Sequence, residues 1–355
     1  MHFEIKRDTI LKSLNFAHNI IERKNTLPIL SNVLLEAKNN KLSIVATDLD
    51  LIFHDEIKDL KIIKEGSTTT SATVLHDLLR KLHSNSNVVF NLKDENRLSI
   101  SAENSKFNLL CLPVDNFPNF SDNFNNEEIK LDRKGFLSIL NKTKISMSND
   151  ETRHYLNGIF IHNIELNEKI YLTGVATDSH RLSSSSILLE NTEKFRPFIL
   201  PKKTVFQLCS LLEEGTDKIS LLSSDTKVQF KVGNSKITSK IIDGKFPDYK
   251  KVVPKENSKT LLVNVKDFIN SIERVITVSI DRKEGVKLTL NKDNIQLFVN
   301  SSSSGEGIET LKANYNSEQF TVSFNSRYLL DIASEIEDES ITLKLNDAVS
   351  PVLIQ

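Results

Sequence analysis

The 355 residues repeat one pattern three times, and this periodicity limits the possible folds more than any other feature of the chain. The segments TILKSLNFA from Thr9, GFLSILNKT from Gly135 and DFINSIERV from Asp267 carry apolar residues in the same columns. Ile10, Leu11 and Leu14 answer Phe136, Leu137 and Leu140, and then Phe268, Ile269 and Ile272, a spacing that marks one face of a helix. Asp132 and Asn264 stand three positions upstream of two of these segments as candidate caps. A second triplet, SATVLHDLLRKL from Ser71, PKKTVFQLCSLL from Pro201 and NSRYLLDIASEI from Asn325, aligns Leu75, Leu78 and Leu82 with Val205, Leu208 and Leu212 and with Leu329, Ile332 and Ile336. Each repeat is therefore expected to hold two helices.

Between the helices the apolar period falls from 3.6 to 2. NVLLEAKNNKLSIVATD, NGIFIHNIELNEKIYLTGVATD and GVKLTLNKDNIQLFVNSS each read as a strand, a polar turn with Asn and a second strand. Ala46-Thr47-Asp48 and Ala176-Thr177-Asp178 then occupy one structural position, the end of the second strand, which the third repeat fills with Val299-Asn300-Ser301. A catalytic dyad is not expected to recur at equivalent places and then vanish, so the acid and histidine of ATDSHRL read as structure before chemistry. A further strand set follows the second helix, closing on Phe117-Pro118 in repeat one and Phe246-Pro247 in repeat two. The third repeat stops at Gln355, short of the length this spacing sets, so its last strand is expected to be missing. The expected organisation is three similar α+β domains over 1–122, 127–252 and 258–355, with linkers near 119–126 and 251–258 and a sheet carrying helices on one face in each.

Composition narrows the function classes. Hydrophobic residues make up 39% of the chain, enough for a sizeable core, while 46 Lys and Arg against 47 Asp and Glu leave a net charge of −1. Affinity for nucleic acid must then come from cations segregated onto one surface. Ten glycines are few, and neither GxxxxGK[ST] nor GxGxxG occurs, which excludes the common phosphate-cradling loops. Cys111 and Cys209 lie in apolar runs with no ligand at metal spacing and read as buried thiols in a reducing compartment. His76 and His83, with Asp77, are two helical turns apart rather than the i, i+4 spacing of a metal pair, and no GxSxG is present. No catalytic residue, metal or cofactor is expected. The absence of a leader-like apolar stretch at Met1 points to the cytoplasm.

These repeats, with TLPILSNVLLEA, RHYLNG, ATDSHRL, DGKFPDY and FNSRYLLD in order along the whole chain, closely resemble the bacterial DNA polymerase III beta subunit family, the sliding clamps. The resemblance implies a DNA-clamp fold of class α+β: three topologically similar domains, each with two helices packed on antiparallel sheets, joined head to tail as a dimeric ring. It implies a homodimer that encircles duplex DNA without regard to sequence. Such a ring tethers the replicative polymerase, the clamp loader and other replication and repair proteins through short peptides, confers processivity and catalyses nothing.

Sliding needs attraction to phosphates without base readout. Basic residues on or beside the helices are the candidates: Lys12, Arg23, Lys24, Arg80, Lys81, Lys142, Lys144, Lys202 and Lys203, with Arg133, Lys134 and Arg274 in the wider set. In the family resemblance Lys24 stands where an Arg commonly contacts DNA, Asn25 where Pro is frequent, and His154-Tyr155 where an aromatic pair approaches DNA leaving the ring. The peptide groove, carried over by motif, takes Arg153, Leu156, Thr177, His180, Arg181, Leu182, Pro247, Val252, Asn325, Tyr328 and Val349. Ser179 stands where many relatives have Gly, a change expected to be tolerated if the backbone there does not require a positive φ. For the subunit contact, Phe107 and Leu109 are expected to meet Thr277 and Val278, with Thr277 less apolar than usual and the ring correspondingly weaker. The short third repeat is expected to weaken the groove and leave a sheet edge exposed. A repeat scaffold that binds only proteins is the alternative, and retention on circular but not linear DNA separates the two.

Overall fold

A computed structural model describes residues 1–22, 26–94, 96–120, 124, 128–189, 195–214, 218–279 and 285–355. Arg23, Lys24 and Asn25, and most of the first expected linker, lie outside the described residues. Six α-helices occur among the described residues, two per repeat: α1 (Arg7–Ile20), α2 (Ala72–Lys81), α3 (Arg133–Lys144), α4 (Lys202–Glu213), α5 (Val265–Val275) and α6 (Ser326–Ser334). Their starts follow the capping chemistry of the sequence. Asp132 accepts from the Gly135 N–H at 2.6 Å, Asn264 from Asp267 at 3.1 Å and Asn325 from Arg327 at 3.0 Å, while Pro201 precedes α4. The aligned apolar columns point inward: Ile10 and Leu14, Phe136 and Leu140, and Phe268 and Ile272 are all fully buried. At about 1.5–3 kcal/mol per large apolar side chain, this burial fixes the rotation of each helix.

Each repeat contains two antiparallel sheets, not the single sheet with helices on one face that the pattern suggests. In repeat one, α1 packs against Lys41–Thr47 and Leu51–Ile57 of one sheet and His2–Lys6 of the other. Both sheets present an apolar face: Val33, Leu35, Leu42 and Ile44 on one, Phe3, Val88, Phe90, Leu98 and Ile100 on the other, all buried. One helix pair thus serves two apolar surfaces. In repeat three, α5 likewise packs on Asn294–Ser301 and Gly305–Lys312 and on Lys259–Asn264.

The chain divides into two compact units, residues 1–244 and 245–355. Within the first, repeats one and two are joined by strand pairing. Ser235–Lys240 lies antiparallel on Leu51–Ile57 in the register Ser235↔Asp55, Ile237↔Phe53 and Ser239↔Leu51, extended where the Lys240 N–H donates to the Asp50 carbonyl at 2.8 Å. Because Thr69 and Thr70 also pair with Leu112 and Cys111, linking the two sheets of repeat one at one corner, thirteen strands run continuously among the described residues, and one core spans both repeats from Met1 to Ile237. The helices continue across the joint as well, since α1 packs on α2 and α4, and α4 on α3.

The second unit has its own core around Phe268, Leu288, Leu297 and Tyr315. Its first sheet runs Gly305–Lys312, Asn294–Ser301, Gly285–Asn291 and Phe320–Asn325. Its second places Lys259–Asn264 between Asn314–Tyr315 and Ser340–Leu345, and the two-residue strand Leu353–Ile354 pairs with Lys344 and Leu343.

Candidate functional site

The Ala-Thr-Asp phrase folds identically in repeats one and two. Asp48 Oδ1 accepts from the N–H groups of Asp50 and Leu51, at 3.0 and 2.7 Å, while Thr47 Oγ1 donates to the Leu51 carbonyl and accepts from the Leu49 N–H. Asp178 Oδ1 accepts from His180 and Arg181, both at 3.0 Å, and Thr177 Oγ1 donates to the Arg181 carbonyl and accepts from the Ser179 N–H. Asp and Thr are spent on holding a tight turn, as expected of side chains that compete for local backbone groups. The turn forces the third residue into the left-handed region, with φ of +79° at Leu49 and +77° at Ser179. The condition under which Ser179 replaces Gly freely is therefore not met. Its Cβ sits in a conformation that costs an L-residue roughly 1 kcal/mol.

In repeat two this turn carries the residues that repeat one lacks. His180 is exposed, and Arg181 Nε donates to Asp178 Oδ2 at 3.1 Å with both side chains largely covered. Across from it, the 3-10 segment Glu151–Leu156 buries Leu156 and presents Arg153, whose backbone leaves helical geometry at φ −114°, ψ 56°. Arg153 Nε donates to Asp150 Oδ2 at 2.8 Å and Nη1 to Ser179 Oγ at 2.6 Å, so one guanidinium ties the segment to the turn. Asp150 also accepts from the hydroxyl and N–H of Thr152, and these bonds, with Arg153, hold its carboxyl down at about 2. Arg153, Leu156, Thr177, His180, Arg181 and Leu182 are thus gathered on two adjoining pieces of chain.

The remaining groove candidates belong to the second unit. Pro247 is exposed, Val252 is 59% exposed after the short turn Tyr249–Lys251, and Val349 is 94% exposed on a loop that Asp347 organises by accepting from the Val349 and Ser350 N–H groups. Asn325 caps α6 and Tyr328 lies in its first turn, half-buried.

The cationic candidates divide by what already holds them. Lys203 pairs with Asp48, whose side chain is 9% exposed, and lies 3.6 Å from Glu22. It stitches repeat two to repeat one. Lys12 meets Glu214 at 3.2 Å and Arg80 meets Asp77 at 3.6 Å, both exposed pairs of the kind that contribute little and exchange readily. Lys144 donates to Asn141 at 2.7 Å, Lys202 donates to Asn149, Lys142 is half-buried, and Lys81 and Lys134 are exposed. Arg133 is a helix clasp, Nη1 donating to the Leu212 carbonyl at 2.6 Å. Arg7 does the same in repeat one, donating to the carbonyls of Leu79 and Arg80, both at 2.8 Å. Arg274 bonds to Glu309. His154 and Tyr155 stand edge to face at 5.9 Å, with His154 Nε2 3.1 Å from the Asp243 carbonyl.

Family models for the N-terminal, central and C-terminal domains of the DNA polymerase III beta subunit match residues 1–121, 130–248 and 250–355 in turn. The chain belongs to the DNA polymerase III beta subunit family. A beta sliding clamp from Caulobacter vibrioides is 36% identical over all of this chain and 95% of its own length, and one from Rickettsia felis is 32% identical over 99% and 94%. The crystal structure of the sliding clamp of Bartonella birtlesii bound to griselimycin superposes with a TM-score of 0.94 at 38% identity, covering all of this chain and 95% of that one. The chain is accordingly a DNA sliding clamp serving DNA polymerase III processivity, with three domains of helices and antiparallel sheets, and it is not an enzyme. Among the described residues no helix is long and apolar enough to cross a membrane.

Leu110 and Ile308 are among the exposed apolar residues that escape the sequence reading. Leu110 is 76% and Ile308 60% exposed, on the strands Ser105–Leu112 and Gly305–Lys312. A signal was present for the first: in Leu109-Leu110-Cys111 the alternation of a strand must turn one apolar neighbour outward. Phe107 is 38% exposed on the same strand as the half-buried Leu109, while Thr277 is exposed and Val278 half-buried.

Proposed function

We propose that two copies of the chain close head to tail into a ring around duplex DNA. The observation that carries this is the joint between repeats one and two. There the strand Ser235–Lys240 of repeat two pairs with Leu51–Ile57 of repeat one. The repeat equivalents of these strands are Ser105–Leu112 in repeat one and Gly305–Lys312 in repeat three. Gly305–Lys312 is the edge of its sheet, and Ser105–Leu112 pairs on its second side only at Cys111 and Leu112. Repeating the joint between copies sets Phe107 opposite Gly307, as Ile237 stands opposite Phe53. A Cβ at Gly307 would lie 3.1 Å from the Val275 carbonyl and 3.5 Å from Val278, so Phe107 arrives beside Val278 and Thr277. The two edges also carry the exposed apolar residues Leu110 and Ile308.

The duplex in this reading meets Lys12, Arg23, Lys24, Arg80, Lys81, Lys142, Lys144 and Lys202 through phosphates, with His154 and Tyr155 stacking where DNA leaves. Lys203 contributes chiefly to the joint. Polymerase, clamp loader and other partners dock by short peptides on Arg153, Thr177, His180, Arg181 and Leu182, with the buried Leu156 supporting the site from beneath. The family resemblance adds Pro247, Val252, Asn325, Tyr328 and Val349 to that contact. The setting is the cytoplasm, and griselimycin is a ready ligand for a binding assay because the Bartonella clamp is bound to it. The decisive experiment loads the protein on nicked circular DNA. It stays on the circle and leaves once the circle is cut; equal loss from both forms sinks the ring. Binding falls with salt, and Lys81→Ala with Lys144→Ala flattens that dependence.

A further inference from the structure

Ser179 occupies a backbone position, at φ +77°, that suits glycine and, less readily, asparagine or aspartate, yet it is none of these. Leu49 stands at the same place in repeat one, at φ +79°, so the turn accepts a side chain in both repeats. What differs is the side chain's task. The Ser179 hydroxyl accepts from Arg153 Nη1 at 2.6 Å, and Asp150 takes Nε at 2.8 Å, so the guanidinium is held at two points on separate pieces of chain. An Arg side chain otherwise carries large rotamer freedom, which must be surrendered on binding. Two fixed bonds out of five donors orient the plane and leave donors for a ligand acceptor.

We propose that Ser179 is a positioning residue for partner selection: by fixing Arg153 it orders the guanidinium in advance for a carbonyl or carboxylate of a docked peptide whose apolar side chains rest beside Leu156 and Leu182. This rests on the reading above that these residues contact peptides. The strain of a non-glycine residue at this turn is retained because its hydroxyl sets the Arg153 geometry. With glycine there, Arg153 keeps only the Asp150 anchor and reaches the peptide from a mixture of rotamers.

The test measures binding of a short fluorescent peptide carrying adjacent Leu and Phe side chains and one Asp. Ser179→Ala, which keeps the strained turn and removes the acceptor, weakens binding about three- to tenfold, the scale of one hydrogen bond to a charged group. Ser179→Asn, which tolerates positive φ and supplies an acceptor, restores it to within about twofold. Ser179→Gly binds as weakly as Ser179→Ala although it melts higher than the parent, which a merely structural role does not produce. In an Arg153→Ala background the Ser179→Ala change has no further effect. Unchanged binding in Ser179→Ala, where Arg153→Ala does weaken it, overturns the positioning role alone. If Arg153→Ala and Leu182→Ala both leave binding intact, the peptide reading itself fails and the inference falls with it.

Discussion

Leu49 shows how little the turn after the long hairpin depends on the residue it strains. The hydrogen bonds from Thr47 and Asp48 fix the backbone, and the side chain at the third position pays with its Cβ. Leu49→Gly is expected to raise stability by about 1 kcal/mol, read by chemical denaturation, because nothing but an exposed side chain is lost. His76 offers a second test at this scale. It is nearly buried between α1 and α2, bonded to Asn15 at 2.9 Å, stacked at 4.5 Å on His18, and 3.4 Å from Asp77 with Arg80 nearby. Burial, and then the His18 charge, hold its pKa below the ordinary histidine value. The unfolded chain therefore takes the proton first, so stability is complete above about pH 6.5 and is lost as pH falls through the folded value. Between about pH 7.5 and about 5.5 the melting temperature of the parent drops more than that of His76→Gln; parallel curves for the two would remove His76 as the cause.

The elements were the most legible part of the sequence. The six helices among the described residues follow from apolar columns, and the caps of three of them from Asp132, Asn264 and Asn325, because a helix face and an N-cap are local chemistry. What the pattern could not show was pairing between distant segments. Ser235–Lys240 and Leu51–Ile57 look like any half-buried strands, and nothing local to Lys203 marks Asp48 as its partner. The same limit hid the clasp between paired helices. Arg7 and Arg133, each the first residue of its repeat's leading helix, donate to the last carbonyls of the companion helix, α2 and α4 respectively. In the sequence Arg133 is one more cation near a helix expected to face DNA. Arg133→Ala is expected to cost about 1–3 kcal/mol of stability with little change in DNA affinity, and Arg133→Lys, without the planar fork, to recover only part of it. Loss of DNA binding without loss of stability would return Arg133 to the phosphate-contacting set.

For the whole molecule, the proposed ring rests on repeating between copies the joint seen between repeats one and two. A charge on either free edge should prevent closure: Leu110→Asp or Ile308→Asp yields a folded monomer by sedimentation, no longer retained on circular DNA. A variant that sediments as the parent does would show the edge lies outside the contact. Mixing the two chains tests polarity as well, since a head-to-tail pair of Leu110→Asp with Ile308→Asp keeps one intact joint and one doubly charged one. The candidate peptide site was legible as motifs but not as geometry, because the bond of Ser179, at positive φ, to Arg153 joins segments 26 residues apart. The strand Leu51–Ile57 has a last consequence for anyone handling pieces of this chain. Cut away from residues 130–244, the first domain would present that ladder naked to solvent and should stick to itself. A usable fragment must carry both of the first two domains, and the smallest independently soluble piece at the N-terminal end is set by a hydrogen-bonded seam instead of by the boundary between duplicated sequences.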